Sequence, residues 1–327
     1  MIGFLLRRAG SAAALGALLS MPFACSAQSY PAKPIHLVVP FPPGGVADII
    51  ARPIAERIGR SLGQTVIVEN RGGATGTIGA AYVANSAADG YTLLFATTNE
   101  IAMSPTLYKS LPYDPVKAFS PVMPLAEFPN VLVVGASTPA DSLAKLIDLA
   151  KSRKASLSFA SSGVGSTNHL TAELFKSEAK VGVLNVPYKG GGPALVDLVG
   201  GQVDAMFATL PSAINMIASG KLKAIAVTGQ HRSPALPDVP TAKEAGLSGL
   251  VVTTWNGVLA PAGTPKAVID RLHQALGEAV ADPEIRQKLA AAGAEPMTGT
   301  PEAFASTIKA DFDRWSEVIK RAGIEAQ

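Results

Sequence analysis

The chain has 327 residues, 48% hydrophobic and 16% charged, with a formal net charge of +3. That size and apolar excess support a globular protein of two domains or lobes. The near balance of charge supplies no field that would draw nucleic acid or an anionic membrane, and a single cysteine, Cys25, excludes a disulfide framework.

In chain order, Arg7 and Arg8 precede an apolar run over 9–19, then Pro22 and the small residues ACSA ending at Ala27. This is the layout of a cleavable secretory signal peptide, so residues 1–27 are expected to be removed, the mature chain to begin at Gln28 and the product to be periplasmic. Lipidation at Cys25 is the alternative reading, but Pro22 stands where lipoprotein signals usually carry a leucine. Cleavage would take away the only cysteine and two positive charges, leaving stability to packing. No later apolar run is long enough to span a bilayer.

Next comes the most informative segment, VPFPPGGVADIIAR (39–52). An apolar strand, IHLVVPF (35–41), enters a Pro-Gly-Gly turn and passes straight into a helix over 46–61. Ile49, Ile50, Pro53, Ile54, Arg57 and Ile58 form that helix's apolar stripe, with Arg52, Glu56 and Arg60 toward solvent. Gly44 and Gly45 remove the Cβ obstruction, so the first amides of the helix can point at an anion. An ordinary βα connection is the competing reading.

Further strands are predicted at TVIVEN (65–70), YTLLFATT (91–98), VLVVGA (131–136), LSFASS (157–162), VLNVPY (183–188), DAMFAT (204–209) and KAIAVTG (223–229). Helical patterns fall between and after them, at 76–87, 141–152, 167–178, 193–200, 212–219, 266–281, 284–292 and 302–321. Thr300 as N-cap, Pro301 at the first helical position and Gly323 past the end delimit the last. The alternation predicts an α/β protein with parallel sheets covered by helices.

Prolines crowd 110–130 and again 231–246, where no helical period is readable. These stretches read as crossings between two lobes, 28–127 plus 250–327 and 128–249, with a ligand cleft between them and a hinge at the crossings. Ligands in open α/β sheets sit beyond the carboxyl ends of strands. The residues found there are FPPGG (41–45), TTNE (97–100), SSGVGSTNH (161–169), YKGGG (188–192) and ATLPS (208–212). In SSGVGSTNHL, Ser161 and Ser162 supply hydroxyls, Gly163 and Gly165 open the backbone, and Ser166 or Thr167 caps a helix; the loop reads as a second anion clamp or as a plain capped helix start.

The runs YPAKPIHLVVPFPPGGVADIIAR, ADGYTLLFATT, LPYDP, SSGVGSTNHL, VPYKGGGPALVDLVGGQVDAMF, PDVPTAKEAG and APAGTP, in this order along nearly the whole chain after the leader, resemble the Bug-type extracytoplasmic solute receptors of tripartite tricarboxylate transporters. The resemblance implies a type II periplasmic-binding-protein fold, two α/β lobes with a ligand cleft between them. It also implies a small organic carboxylate as ligand, membrane permease subunits as partners, and no cofactor. The family's first-lobe loop falls on Phe41, Pro43, Gly44, Gly45 and Asp48, and its second-lobe loop on Ser161 to His169. Backbone donors, hydroxyls and water can hold a carboxylate without a buried cation. Asp48 either caps free amides or accepts from a ligand amine or water.

Where many relatives of that family carry aspartate and asparagine after the strand of QVDAMF, this chain has Ala208 and Thr209. Loss of a like charge at the cleft edge favours a second carboxylate or an apolar or aromatic group as the distal part of the ligand, rather than an ammonium. Thr97, Thr98 and Asn99 are candidates for distal contacts, and the direction of Glu100 is left open. Tyr188 and Lys189 end a strand beside Gly190 to Gly192; Lys189 either reaches the cleft or is simply solvated. His169 reads as a ligand contact or as a structural residue of a first helical turn. His36, His169, His231 and His273 show no metal-ligand spacing. Trp315 is expected in the core with Phe304, Ile308, Phe312 and Ile319, and Trp255 at the hinge. The chain has no GxSxG elbow, Walker lysine or dinucleotide fingerprint, which leaves a hydrolase built on Ser161 or Ser162 as a remote alternative. The expected product is a monomeric receptor and not an enzyme; a sensor that reports to a membrane kinase would need the same binding lobes.

Overall fold

Both faces of the strand β1 (Ile35–Val39) are covered, which is why its sequence IHLVV is apolar at all but one position. It lies between β2 (Val66–Asn70) and β3 (Thr92–Thr97), parallel to both. The computed structural model describes residues 30–153 and 156–324. The expected leader, with Arg7, Arg8 and Cys25, lies outside the described residues.

Helix α1 (Val46–Leu62) buries Ile50, Ile54 and Ile58 and stops at Gly63, whose φ of 68° lets its amide return to the Gly59 carbonyl. The predicted stripe is displaced at its start: Ile49 is half exposed and Asp48 is buried instead. The reason is polar, because Asp48 has three partners inside the fold, described below. Helix α2 (Thr77–Ala84) covers the same sheet, and a π-helical turn at Asn99–Met103 leads into the single helical turn α3 (Ser104–Leu107).

The long strand β4 (Phe119–Gly135) corrects the reading of 110–130 as a structureless crossing. Its prolines are accommodated because the ladder shifts register between Pro121 and Met123 and between Pro124 and Ala126, where a missing N–H is tolerated. Up to Pro129 it pairs antiparallel with β9 (Thr253–Pro261), a strand the sequence pattern did not suggest. From Asn130 onward it pairs antiparallel with β7 (Ala205–Thr209) and β8 (Leu222–Val227). Parallel strands β5 (Leu157–Ser161) and β6 (Val183–Pro187) complete the sheet, in the order β2-β1-β3-β9-β4-β7-β5-β6, with β8 and the short β10 (Glu295–Pro296) also on β4. The expectation of parallel sheets therefore holds within each half and fails at β4 and β9. These two strands pass through the middle of the sheet without a crossover helix to turn them round.

Helices α4 (Leu143–Ser152), α5 (Thr167–Ala179), α6 (Gly191–Val199) and α7 (Leu210–Ala218) cover the second half. Helices α8 (Lys266–Ala281), α9 (Pro283–Ala291) and α10 (Pro301–Arg321) follow β9. Phe159, Phe175 and Phe207 pack ring on ring at 5.6–5.7 Å in the second half. Trp315 is fully buried as expected, clustered with Leu107, Leu170, Val252 and Ile319. Among the described residues no helix is long and apolar enough to cross a membrane.

Candidate functional site

The first loop is organised around Asp48. Its carboxylate accepts from the Gly44 amide at 3.0 Å, from Arg52 at 2.8 Å and from the Asn70 side chain at 2.9 Å. Asn70 also donates to the Phe41 carbonyl at 3.0 Å. Burial alone would raise the Asp48 pKa, but the bonds from Arg52, Gly44 and Asn70 outweigh it and hold the carboxyl below the usual aspartate range. Of the two roles open to Asp48, the geometry has it tying Gly44, which sits at φ +78°, to the helix. Pro43 and Gly44 are exposed, Phe41 and Gly45 half buried. Gly45 is the N-cap of α1 and no side chain caps that end, so the first-turn amides, which have no intrahelical partner, remain the loop's donors.

The second loop is braced from within. Gly163 and Gly165 adopt φ of +134° and +76°, the Ser166 hydroxyl donates to the Gly163 carbonyl at 2.7 Å, and the same oxygen caps His169 N at 3.4 Å. His169 Nδ1 accepts the Gly165 amide at 3.0 Å, which leaves the proton of the neutral ring on Nε2. Burial pushes the His169 pKa down, against a pull upward from Glu173. Through the bond from Gly165, His169 braces the loop. Ser161 donates to the Gly163 carbonyl and Ser162 to Asn168. Neither hydroxyl is paired with the imidazole in the way nucleophilic catalysis requires. Thr167 is buried at the start of α5, and its carbonyl accepts from Thr171 at 2.6 Å.

The third group follows β3. The Thr97 amide donates to Glu100, and its hydroxyl donates to the same carboxyl at 2.6 Å. Thr98 Oγ1 accepts from the Trp255 amide at 3.0 Å. Both threonine side chains are therefore used internally, whereas Asn99 keeps a buried Oδ1 with no partner. Glu100 is fully buried and turned inward, and burial lifts its pKa to about 8 against the opposing bonds from Thr97. A carboxyl group in that range is largely protonated at neutral pH, so it presents little charge to an anion. Trp255 stacks edge-on against Phe304 at 5.0 Å and its ring nitrogen donates to Asp311 at 2.7 Å.

Tyr188 is pinned by its hydroxyl to Asp197 at 2.8 Å and by its amide to the Ser161 carbonyl at 2.9 Å, which holds it beside the second loop. Lys189 is exposed. Ala208 is fully buried, in an apolar cluster with Val131, Ala160 and Leu210.

Contacts link these groups in sequence. The first loop packs on 70–79, where a Cβ on Gly72 would lie 3.0 Å from Pro42 and one on Gly79 2.8 Å from Pro40. Gly76 of that segment lies against Glu100, a Cβ there being 2.9 Å from Oε2. The chain after Glu100 reaches Leu107, and a Cβ on Gly165 would lie 2.4 Å from Leu107 Cδ1. Asn70 and Leu107 were missed by sequence reasoning. Asn70 ends a strand and could have been found by the strand-end rule; Leu107 carries no local signal. An open groove of about 470 Å³ lies elsewhere, between α1 and α9, and has Ile49, Pro53, Ile285 and Leu289 in its wall. It contains none of the loops described above.

Residues 50–324 match the family described as the tripartite tricarboxylate transporter family receptor. BugT of Bordetella pertussis is 40% identical over 299 residues, 91% of this chain and 92% of BugT. The R. palustris protein Rpa4515, solved with adipate, is 38% identical with a TM-score of 0.87, over 91% of this chain and 100% of that one. MatC from Rhodopseudomonas palustris, solved with bound malate, is 35% identical with a TM-score of 0.82, over 89% and 100%. The α/β fold is accordingly that of these periplasmic binding proteins. With the family pattern matched from within α1 to the last described residue, and relatives similar over nine-tenths of the chain, the chain belongs to the tripartite tricarboxylate transporter receptor family, the Bug-type receptors.

Proposed function

We propose that this chain is an exported, monomeric receptor that closes its two lobes on a small organic dicarboxylate and delivers it to the membrane permease subunits of a tripartite transporter. The observation that carries the reading is that relatives aligned over nearly all of this chain hold adipate and malate. The lobes are 28–127 plus 250–327 and 128–249, following a leader of 1–27. One carboxylate is held by the α1 amides after Gly45 and by the start of α5 at Thr167, with bridging water. The distal group meets the Asn99 side chain, whose Nδ2 gives one N–H to Thr97 at 3.4 Å and has a second to donate. Inward burial of Glu100, with its proton retained near neutrality, favours a dianion over an amino acid.

A thermal-shift screen tests this, because a ligand that binds only the folded state raises the melting temperature, by about 2.7 kcal/mol of stability at a hundredfold excess over Kd. Adipate and malate are expected to raise it and glycine, lysine and glutamine to leave it unchanged. Gly44→Val is expected to remove the rise while the protein stays folded, since a β-branched residue does not tolerate φ +78°. A rise with the amino acids and none with mono-, di- or tricarboxylates or aromatic acids would refute the reading.

A further inference from the structure

At the middle of the sheet the chain passes between its halves beside Thr228, which is fully buried. Strand β4 changes partner there, from β9 at Pro129 to β7 at Asn130 and β8 at Val131. Pro129 has no N–H to offer the ladder. The next amide, Asn130 N, donates to Thr228 Oγ1, at 2.9 Å. The same hydroxyl donates onward to the Val252 carbonyl at 2.6 Å, the residue before β9 begins. Backbone bonds run alongside, from Thr228 N to the Asn130 carbonyl and from Val252 N to the Thr228 carbonyl, both at 2.8 Å. One hydroxyl therefore has its donor and an acceptor site engaged by the two chain segments that pass between the halves. Asn130 extends the tie: its Nδ2 donates to Thr171 at 2.8 Å, and Thr171 donates to the Thr167 carbonyl in the first turn of α5.

Closure about a hinge concentrates the backbone change in a few residues. We propose that Thr228 is a positioning residue that fixes the mutual angle of the two crossing segments, and hence of the lobes. The inference rests on the two-lobe reading but not on the identity of the ligand.

The experiment is a spin-label distance measurement without any added acid, in the full chain carrying Cys25→Ser. Labels are placed at Val116 and Val196, which are 61% and 62% exposed and lie in different halves. Thr228→Val is expected to broaden the distance distribution and displace its mean, and Thr228→Ser to restore the wild-type peak, because it returns the hydroxyl. Circular dichroism verifies folding, and Thr228→Ala, which removes the hydroxyl without adding bulk, replaces the valine variant should that one fail to fold. A distribution unchanged in the hydroxyl-free variants, with only the melting temperature lowered, would overturn the proposal; so would a serine variant displaced as far as they are. Failure of every acid to bind would refute the receptor reading and leave this result standing.

Discussion

Glu100 offers a direct test of the buried third group. Its carboxyl is fully buried, bonded only to Thr97 among side chains, and its pKa is raised by burial from 4.5 to about 8. The unfolded chain releases that proton near pH 4.5, whereas the folded chain keeps it until about pH 8. Between these values the native state binds the extra proton, so stability falls as pH rises, by about 1.4 kcal/mol per pH unit for one proton. Across the whole window the loss is about 3–5 kcal/mol. Glu100→Gln has nearly the same shape, accepts the Thr97 amide through its carbonyl and does not titrate. Urea unfolding of both proteins between pH ~5 and ~8 is therefore expected to show the variant gaining on wild type steadily as pH rises. Taking the difference cancels every other titrating group. Parallel profiles for the two proteins would refute the burial argument and the inward placement of Glu100.

Three further outcomes follow from single contacts. Gly165→Ala would put a carbon 2.4 Å from Leu107 Cδ1 at a φ of +76°, so a loss of about 1–3 kcal/mol and of any adipate-induced melting shift is expected, with partial recovery when Leu107→Ala is added. Asp48→Ala leaves the Gly44 amide and Asn70 without their acceptor while Arg52, half exposed, turns to water, and a loss of about 1–2 kcal/mol is expected in urea unfolding near neutrality. The Asp48 pKa is depressed in the fold, so its contribution is complete above the ordinary aspartate value and disappears as pH falls through the folded one; an acid titration should show the variant approaching wild type there. Phe175→Ala opens the centre of the Phe159–Phe175–Phe207 stack and is expected to cost about 3–5 kcal/mol, read by chemical denaturation.

Much of this architecture is written in short-range pattern. The glycine turn into α1, the caps at Ser166 and Thr300, and the apolar runs of β1, β3 and β5 depend on a few neighbouring residues, and each stands where its pattern places it. Strand β9 and the first part of β4 had no such signature, because prolines and mixed polarity hide strands whose ladders are made across the sheet. The same distinction holds at the site. Glycines, serines and the buried-side position of the loops follow from strand ends, whereas three-dimensional packing alone turned Glu100 inward, gave Asp48 to Asn70, set Leu107 against Gly165 and laid Thr228 between Asn130 and Val252. Local periodicity records which face of an element is apolar; which partner a buried polar group finds depends on residues tens to hundreds of positions away, and is decided only when the chain packs.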